Sequence, residues 1–84
     1  MKVRFFSWIR ERVGVPEDEI LCPEDIATVS QLIDFMVSSY PDRYAHAFCD
    51  RTLIHVAINH VFADLSSPID NSSDIAFFPP VTGG

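Results

Sequence analysis

The residues that could do chemistry lie at the end of the sequence. Residues 75–84 read IAFFPPVTGG and carry no charged side chain. The α-carboxylate of Gly84 is then the one charge expected there, ionised at neutral pH because its reference pKa is about 3.5. Gly83 and Gly84 have no Cβ atom, so a partner enzyme with a narrow channel could approach this carboxylate closely. We expect that partner to join it to a nucleotide, which a sulfur or nitrogen nucleophile then displaces.

Two prolines separate these glycines from the rest of the chain. Pro79 and Pro80 favour extended polyproline geometry, and neither has an N–H to continue a β-ladder. We therefore predict that a folded domain occupies residues 1–78. Residues 79–84 are predicted to form a flexible tail that projects from it, with Val81 and Thr82 between the stiff base and the slim tip.

The remainder of the sequence offers little that could catalyse such a reaction alone. It has no GxxxxGK[ST] phosphate loop and one lysine, Lys2, so we expect no cofactor to be bound by this chain and ATP to be used by the activating partner. No Ser/His/Asp or Cys/His arrangement is supported by motif context. The sequence therefore indicates a carrier or substrate, and not an enzyme on its own.

The cysteines and histidines do not add up to a metal site. Cys22 and Cys49 are too few and too far apart for a disulfide framework, and we expect both to be buried free thiols. His46 and Cys49 would share one helical face, but two ligands do not make a zinc site. His55 and His60 flank a predicted turn and are expected to be solvated.

Composition and charge restrict the function classes further. The chain has 84 residues, room for one domain with a modest core, and a net charge of -6, which argues against nucleic-acid binding. No uncharged stretch approaches the roughly 20 residues of a membrane span, and no signal peptide follows Met1, so we expect a cytoplasmic protein. Four of the 6 basic residues lie in the first 12 positions, among them Arg10, which could help to dock an acidic partner surface.

Hydrophobic periodicity predicts the elements that position the tail. Alternation predicts five strands, at residues 2–6, 19–22, 53–58, 61–63 and 75–78. Ser7 is predicted to cap a short helix that ends at Gly14, and Thr28 with Gln31 has the spacing of a capping box before the main helix. That helix should end at Pro41, with a further helical turn in residues 42–48, and Asn59-His60 should form a turn.

This order of elements predicts an α+β domain, in which one main helix covers one face of a single mixed sheet. Strand alternation then points Phe6, Phe62 and Phe78 away from the helix. If neighbouring strands bring them together they form an exposed aromatic patch, typical of an interface. The alternative is three isolated aromatic side chains or a small second core.

Three stretches together resemble a known family, the sulfur-carrier small subunits of molybdopterin synthase. They are KVRFFSWIRERVG, VAINHVFADLSSPI and DIAFFPPVTGG, and they span nearly the whole chain. The resemblance implies a ubiquitin-like β-grasp fold. It also implies that an E1-like enzyme adenylates Gly84, that the product becomes a thiocarboxylate, and that its sulfur passes to cyclic pyranopterin monophosphate in a complex with the large synthase subunit.

The same resemblance favours Phe6, Phe62 and Phe78 as the docking surface for both partners. We expect Pro79, Pro80, Val81 and Thr82 of the tail, and Arg10 through its charge, to bind partners as well. Three alternatives stay open at this point. Related β-grasp carriers deliver sulfur to thiamine or tRNA, ubiquitin-like modifiers form amides with lysine, and a non-covalent binding module would leave the glycines without a role.

Overall fold

A computed structural model describes residues 1–80 of the chain. Five strands form one sheet in the order β2-β1-β5-β3-β4. The central strands β1 and β5 run parallel, and every other neighbouring pair is antiparallel. The strand bounds are Lys2–Phe5 (β1), Glu17–Glu19 (β2), His55–Ile58 (β3), Val61–Ala63 (β4) and Asp74–Phe78 (β5). The topology confirms the predicted α+β class and mixed sheet.

Within residues 1–80, three α-helices accompany the sheet. Their bounds are Ser7–Val13 (α1), Val29–Ser39 (α2) and Pro41–Tyr44 (α3), and a 3₁₀ turn covers Arg51–Leu53. No helix in this part of the chain is both long and apolar enough to cross a membrane.

The core lies between α2 and the inward face of the sheet. The buried side chains of α2 follow the helical spacing seen in the sequence and join the inward residues of β1, β3 and β5 in one cluster. Phe48 packs edge-on against Phe77 with 5.0 Å between ring centroids, and Phe5 and Tyr44 complete an aromatic group at one end. The core members from α2 are Val29, Leu32, Ile33 and Met36.

The ends of α2 follow the sequence closely. Thr28 Oγ1 accepts a hydrogen bond from the Gln31 N–H, and the Gln31 side chain accepts one from the Thr28 N–H, which confirms the capping box. The helix ends at Ser39. Pro41 opens α3, where its missing N–H costs nothing.

The start of α1 differs from the prediction. Ser7 does not cap the helix: Phe6 holds the cap position without a side-chain hydrogen bond, and Ser7 is the first helical residue with a φ of 55°. The chain passes directly from β1 into the helix, which leaves no room for an extended serine before it. Gly14 closes α1 as predicted, with a φ of 94° that favours glycine.

Strand β2 also lies elsewhere than predicted. The sequence favoured residues 19–22, but Glu17–Glu19 pair with β1. Leu21 is 83% exposed, and Ile20 contributes its backbone N–H to Met1 O just beyond the named strand. None of the side chains of Glu17–Glu19 is buried, so this strand has no apolar alternation to reveal it.

The hairpin between β3 and β4 confirms the predicted turn. Asn59 and His60 both have positive φ, at 51° and 69°, which suits a two-residue hairpin loop. The Asn59 side chain accepts a 2.8 Å hydrogen bond from the Asp74 N–H, which anchors this turn to the start of β5.

Candidate functional site

The tail leaves the domain from the middle of the sheet. β5 lies between β1 and β3 and ends at Phe78, as predicted. Pro79 and Pro80 follow outside any strand, and Pro80 is exposed. Val81, Thr82, Gly83 and Gly84 lie outside the described residues. Their roles in partner binding and sulfur chemistry therefore remain predictions, as does the division at residue 78.

Beside the tail, the outward face of the sheet carries an aromatic pair. The Phe62 and Phe78 ring centroids lie 5.7 Å apart, and Phe62 is 83% exposed. The register places Ala57 of β3 opposite both Phe62 of β4 and Ala76 of β5. Two small side chains thus form a shallow floor next to two large rings.

His55 extends this aromatic pair along β3. Its ring lies 5.9 Å from that of Phe78, directly opposite in the β3–β5 register, and its side chain is exposed. The sequence correctly indicated a solvated histidine but not its neighbour. Only the pairing of β3 with β5 reveals that His55 lies beside Phe78. We call the surface formed by His55, Ala57, Phe62, Ala76 and Phe78 the aromatic face.

Phe6 stands apart from this face. It is 45% exposed and lies beyond the last paired residue of β1, where its N–H donates to Phe77 O at 3.1 Å. Within residues 1–80 it belongs to no aromatic ring pair. The predicted three-phenylalanine patch therefore has two members in contact and a third near the same end of β5.

The opposite end of the outward face is charged. Arg4 and Asp74 form an ion pair at 3.3 Å across β1 and β5, and Lys2 pairs with Glu17 at 3.4 Å. Because Asp74 begins β5 and Phe78 ends it, the apolar part of this face adjoins the tail and the charged part lies away from it.

The cysteines and histidines do not form a site in the described residues. Cys22 is buried, as predicted, and burial raises the pKa of its thiol although the nearby N-terminal amine lowers it. Cys49 is exposed, so that prediction was wrong. It follows the turn after α3 rather than lying in a helix, so it does not share a helical face with His46. No cluster of metal-ligating side chains occurs in residues 1–80.

A second polar group links α3 to β2 on the other side of the molecule. Asp18 Oδ2 accepts hydrogen bonds from the Tyr44 hydroxyl at 2.6 Å and from Arg43 at 2.7 Å. Burial alone would raise the pKa of Asp18, but these two donors outweigh it and the pKa lies below its ordinary value. Burial and the Asp18 carboxylate raise the pKa of Tyr44. This group fixes the edge strand.

With this geometry established, comparison with known proteins identifies the family. The ThiS family matches residues 3–84, nearly the whole chain. The chain belongs to the ThiS family.

Two curated relatives of this ThiS-family chain carry the same name. The molybdopterin synthase sulfur carrier subunits of Escherichia coli and Haemophilus influenzae are each 38% identical to it over 84 residues, covering 100% of the chain and 99% of each relative. The resemblance inferred from the three sequence stretches is confirmed.

Solved structures support the fold. SAMP1 of Haloferax volcanii, a small archaeal modifier protein, superposes with a TM-score of 0.75 at 28% identity and covers 100% of the chain. The predicted ubiquitin-like β-grasp fold of this ThiS-family chain is thereby confirmed.

Proposed function

We propose that this protein is the sulfur-carrier small subunit of a molybdopterin synthase and works in the cytoplasm. The observation that carries the proposal is the match over 84 residues to two proteins with that name, at 38% identity. A tail that starts on the central strand of a rigid sheet, next to an exposed aromatic face, suits a carrier that presents its end to other proteins.

The proposed chemistry takes place at the Gly84 carboxylate. An E1-like enzyme joins this carboxylate to the α-phosphate of ATP, and pyrophosphate leaves. Hydrosulfide from the sulfur donor then attacks the acyl adenylate and releases AMP, which produces a thiocarboxylate. The thiocarboxylate sulfur attacks a carbon of cyclic pyranopterin monophosphate and displaces an oxygen substituent there. Water hydrolyses the resulting thioester, so the sulfur stays on the pterin and the Gly84 carboxylate is restored, and two such transfers supply the two sulfurs of the dithiolene. Holding the sulfur on a tail with a stiff base replaces a bimolecular encounter with an oriented one.

The partners supply the catalytic groups in this proposal. The chain has no phosphate-loop motif and its one lysine, Lys2, lies in the charged part of the outward face, away from the tail. The adenylating enzyme therefore holds ATP, and the large synthase subunit provides the precursor pocket and any acid or base. This chain contributes sulfur and a docking surface.

We assign docking to the aromatic face, together with Phe6 and residues 79–82. Exposed aromatic side chains are enriched at interfaces, and Phe62 is among the most exposed hydrophobic residues of the domain. Arg10 is exposed on α1 and would contact a partner through its charge.

Intact-mass measurement tests the proposal. The protein is incubated with the activating enzyme, ATP and a sulfur donor, and the expected result is replacement of one oxygen by sulfur at Gly84. The product should then convert cyclic pyranopterin monophosphate to molybdopterin when the large subunit is added. An unchanged mass would refute the proposal if the same activating enzyme forms the thiocarboxylate on a known sulfur carrier.

A modifier function is a second candidate, because the structurally similar SAMP1 is named a modifier protein. In that case the activated Gly84 would form an amide with a lysine of another protein. Conjugates of higher mass in cells that express a tagged form, lost when Gly84 is removed, would favour this function over sulfur transfer.

A further inference from the structure

Two arginines of α1 differ from the other cations of the domain. Four of the 6 Lys and Arg residues form ion pairs with carboxylates. Among residues 1–80, Arg10 and Arg12 have no such partner, although the chain carries a net charge of -6. Both are exposed in the last turn of α1. The paired cations are Lys2, Arg4, Arg43 and Arg51.

Arg12 is held in place by an aromatic ring. Its guanidinium carbon lies 4.5 Å from the ring centroid of Trp8, within the range of a cation–π contact. This contact orients the guanidinium while leaving its N–H donors open to a ligand in the plane of the group. A carboxylate is the group that matches such a planar fork of donors.

Trp8 and Arg12 belong to a groove at the base of the tail. The groove has a volume of about 530 Å³. Leu53 is 42% exposed on it, and Trp8 is partly buried. Its lining combines apolar side chains with one cation and includes both prolines of the tail. We call it the proline groove, lined by Ser7, Trp8, Arg12, Leu53, Pro79 and Pro80.

We propose that the proline groove docks a segment of the large synthase subunit in which a carboxylate side chain stands beside an apolar one. This proposal rests on the proposed function. Charge complementarity supports it, because Arg12, which has no carboxylate partner within residues 1–80, attracts an acidic segment to an otherwise acidic chain. Continuity supports it as well: the groove is lined by Pro79 and Pro80, so a protein that receives the tail must pass over it.

The proline groove would also set the direction of the tail. A segment seated against Trp8 and Leu53 covers the flank of Pro79 and Pro80, while the aromatic face binds at the end of β5. Two contacts, one against the prolines and one at the end of β5, would fix the line along which the following residues enter the partner. Loss of one contact should therefore weaken binding without abolishing it.

Binding of the large subunit to an Arg12→Glu variant tests the charge. Isothermal titration calorimetry should show a dissociation constant at least about tenfold higher than that of the unmodified chain, since two like charges then face each other. The ratio of the two dissociation constants should shrink as salt rises from about 0.05 to 0.5 M, because added salt shortens the Debye length and screens the charges.

Lys2→Glu is the matched control. It makes the same change in net charge, but Lys2 lies opposite Asp74 in the β1–β5 register, at the end of β5 away from the tail. It should bind the large subunit as the unmodified chain does. An equal loss in both variants, or unchanged binding of Arg12→Glu, overturns the proposal. If the unmodified chain does not bind the large subunit, the proposed function fails, and the proline-groove proposal fails together with it.

The single tryptophan provides a direct readout of the groove. With 5-fluorotryptophan at Trp8, the ¹⁹F spectrum has one signal from this chain, and addition of unlabelled large subunit should shift it. A complex that forms without a shift overturns the proposal. A shift with rising concentration of the chain alone would assign the groove to a second copy, and would likewise overturn it.

Discussion

The ring of Phe62 lies 5.7 Å from the ring of Phe78, although strand β3 separates the two strands that carry them. Ala57 of β3 lies opposite Phe62 and diagonal to Phe78, and its methyl group leaves space above the sheet for the contact. The aromatic face therefore depends on the choice of a small residue as much as on the two large ones.

Replacement of Phe62 by serine should weaken binding of the large subunit by about tenfold or more, as expected for an aromatic anchor at an interface. The free energy of unfolding should change by less than about 0.5 kcal/mol, because an exposed side chain is replaced. Calorimetric titration and chemical denaturation measure the two quantities. Leu21→Ser is the control, since Leu21 is equally exposed at 83% but lies beyond β2. Equal losses of binding in the two variants would contradict the assignment.

Removal of Gly84 should abolish thiocarboxylate formation, because the new terminal residue would not place its carboxylate at the depth that the activating enzyme requires. The thermal unfolding midpoint should stay unchanged, since the described domain ends its last strand at Phe78. Mass spectrometry and circular dichroism of the same preparation measure both. A variant that still forms a thiocarboxylate would refute the role of Gly84, and one that no longer folds would refute the predicted boundary between domain and tail.

Replacement of Tyr44 by phenylalanine should lower the free energy of unfolding by about 1–2 kcal/mol at neutral pH, because Asp18 loses a charge-assisted hydrogen bond. The pKa of Asp18 is lowered in the folded chain, so its ionised form stabilises the fold above its unfolded pKa of about 3.9. That contribution is lost as pH falls through the folded pKa.

The difference in free energy of unfolding between Tyr44→Phe and the unmodified chain should therefore decrease below about pH 4. Urea denaturation at a series of pH values measures it. A difference of the same size at neutral and acidic pH would show that packing, and not the hydrogen bond to Asp18, accounts for the loss.

Replacement of Gly14 by alanine should destabilise the domain by about 1 kcal/mol, because Gly14 has a φ of 94°. Among residues 1–80, and apart from its chain neighbours and its own helix, nothing lies within 4 Å of an added Cβ, so the cost comes from the backbone and not from a clash. Asparagine tolerates this conformation better than alanine does and should cost less. Denaturation of both variants compares them, and an alanine variant as stable as the unmodified chain would refute the account.

Local signals in the sequence were sufficient for several elements. Thr28 and Gln31 predict the start of α2 because a capping box involves residues three positions apart. The turn at Asn59 and the end of α1 at Gly14 are equally local, since each depends on one backbone conformation. Pro79 marks the end of the sheet because it lacks an N–H.

Other features depend on contacts between distant parts of the chain. The placement of β2 follows from its pairing with β1. A short acidic strand that includes Glu17 gives no indication of this pairing in the sequence. The contact of His55 with Phe78 follows from a register that only the folded sheet defines. The groove beside Trp8 was also missed, because Leu53 and Pro79 approach α1 from distant positions in the sequence.

The attachment of the tail to β5 has a mechanical consequence. A pull on Pro80 along the strand acts on the hydrogen bonds to β1 and to β3 side by side, so both ladders must slide together before the strand yields. An edge strand such as β4 is held by one ladder only, so the same pull would meet fewer hydrogen bonds. An enzyme can therefore draw the tail taut without unravelling the domain that carries it.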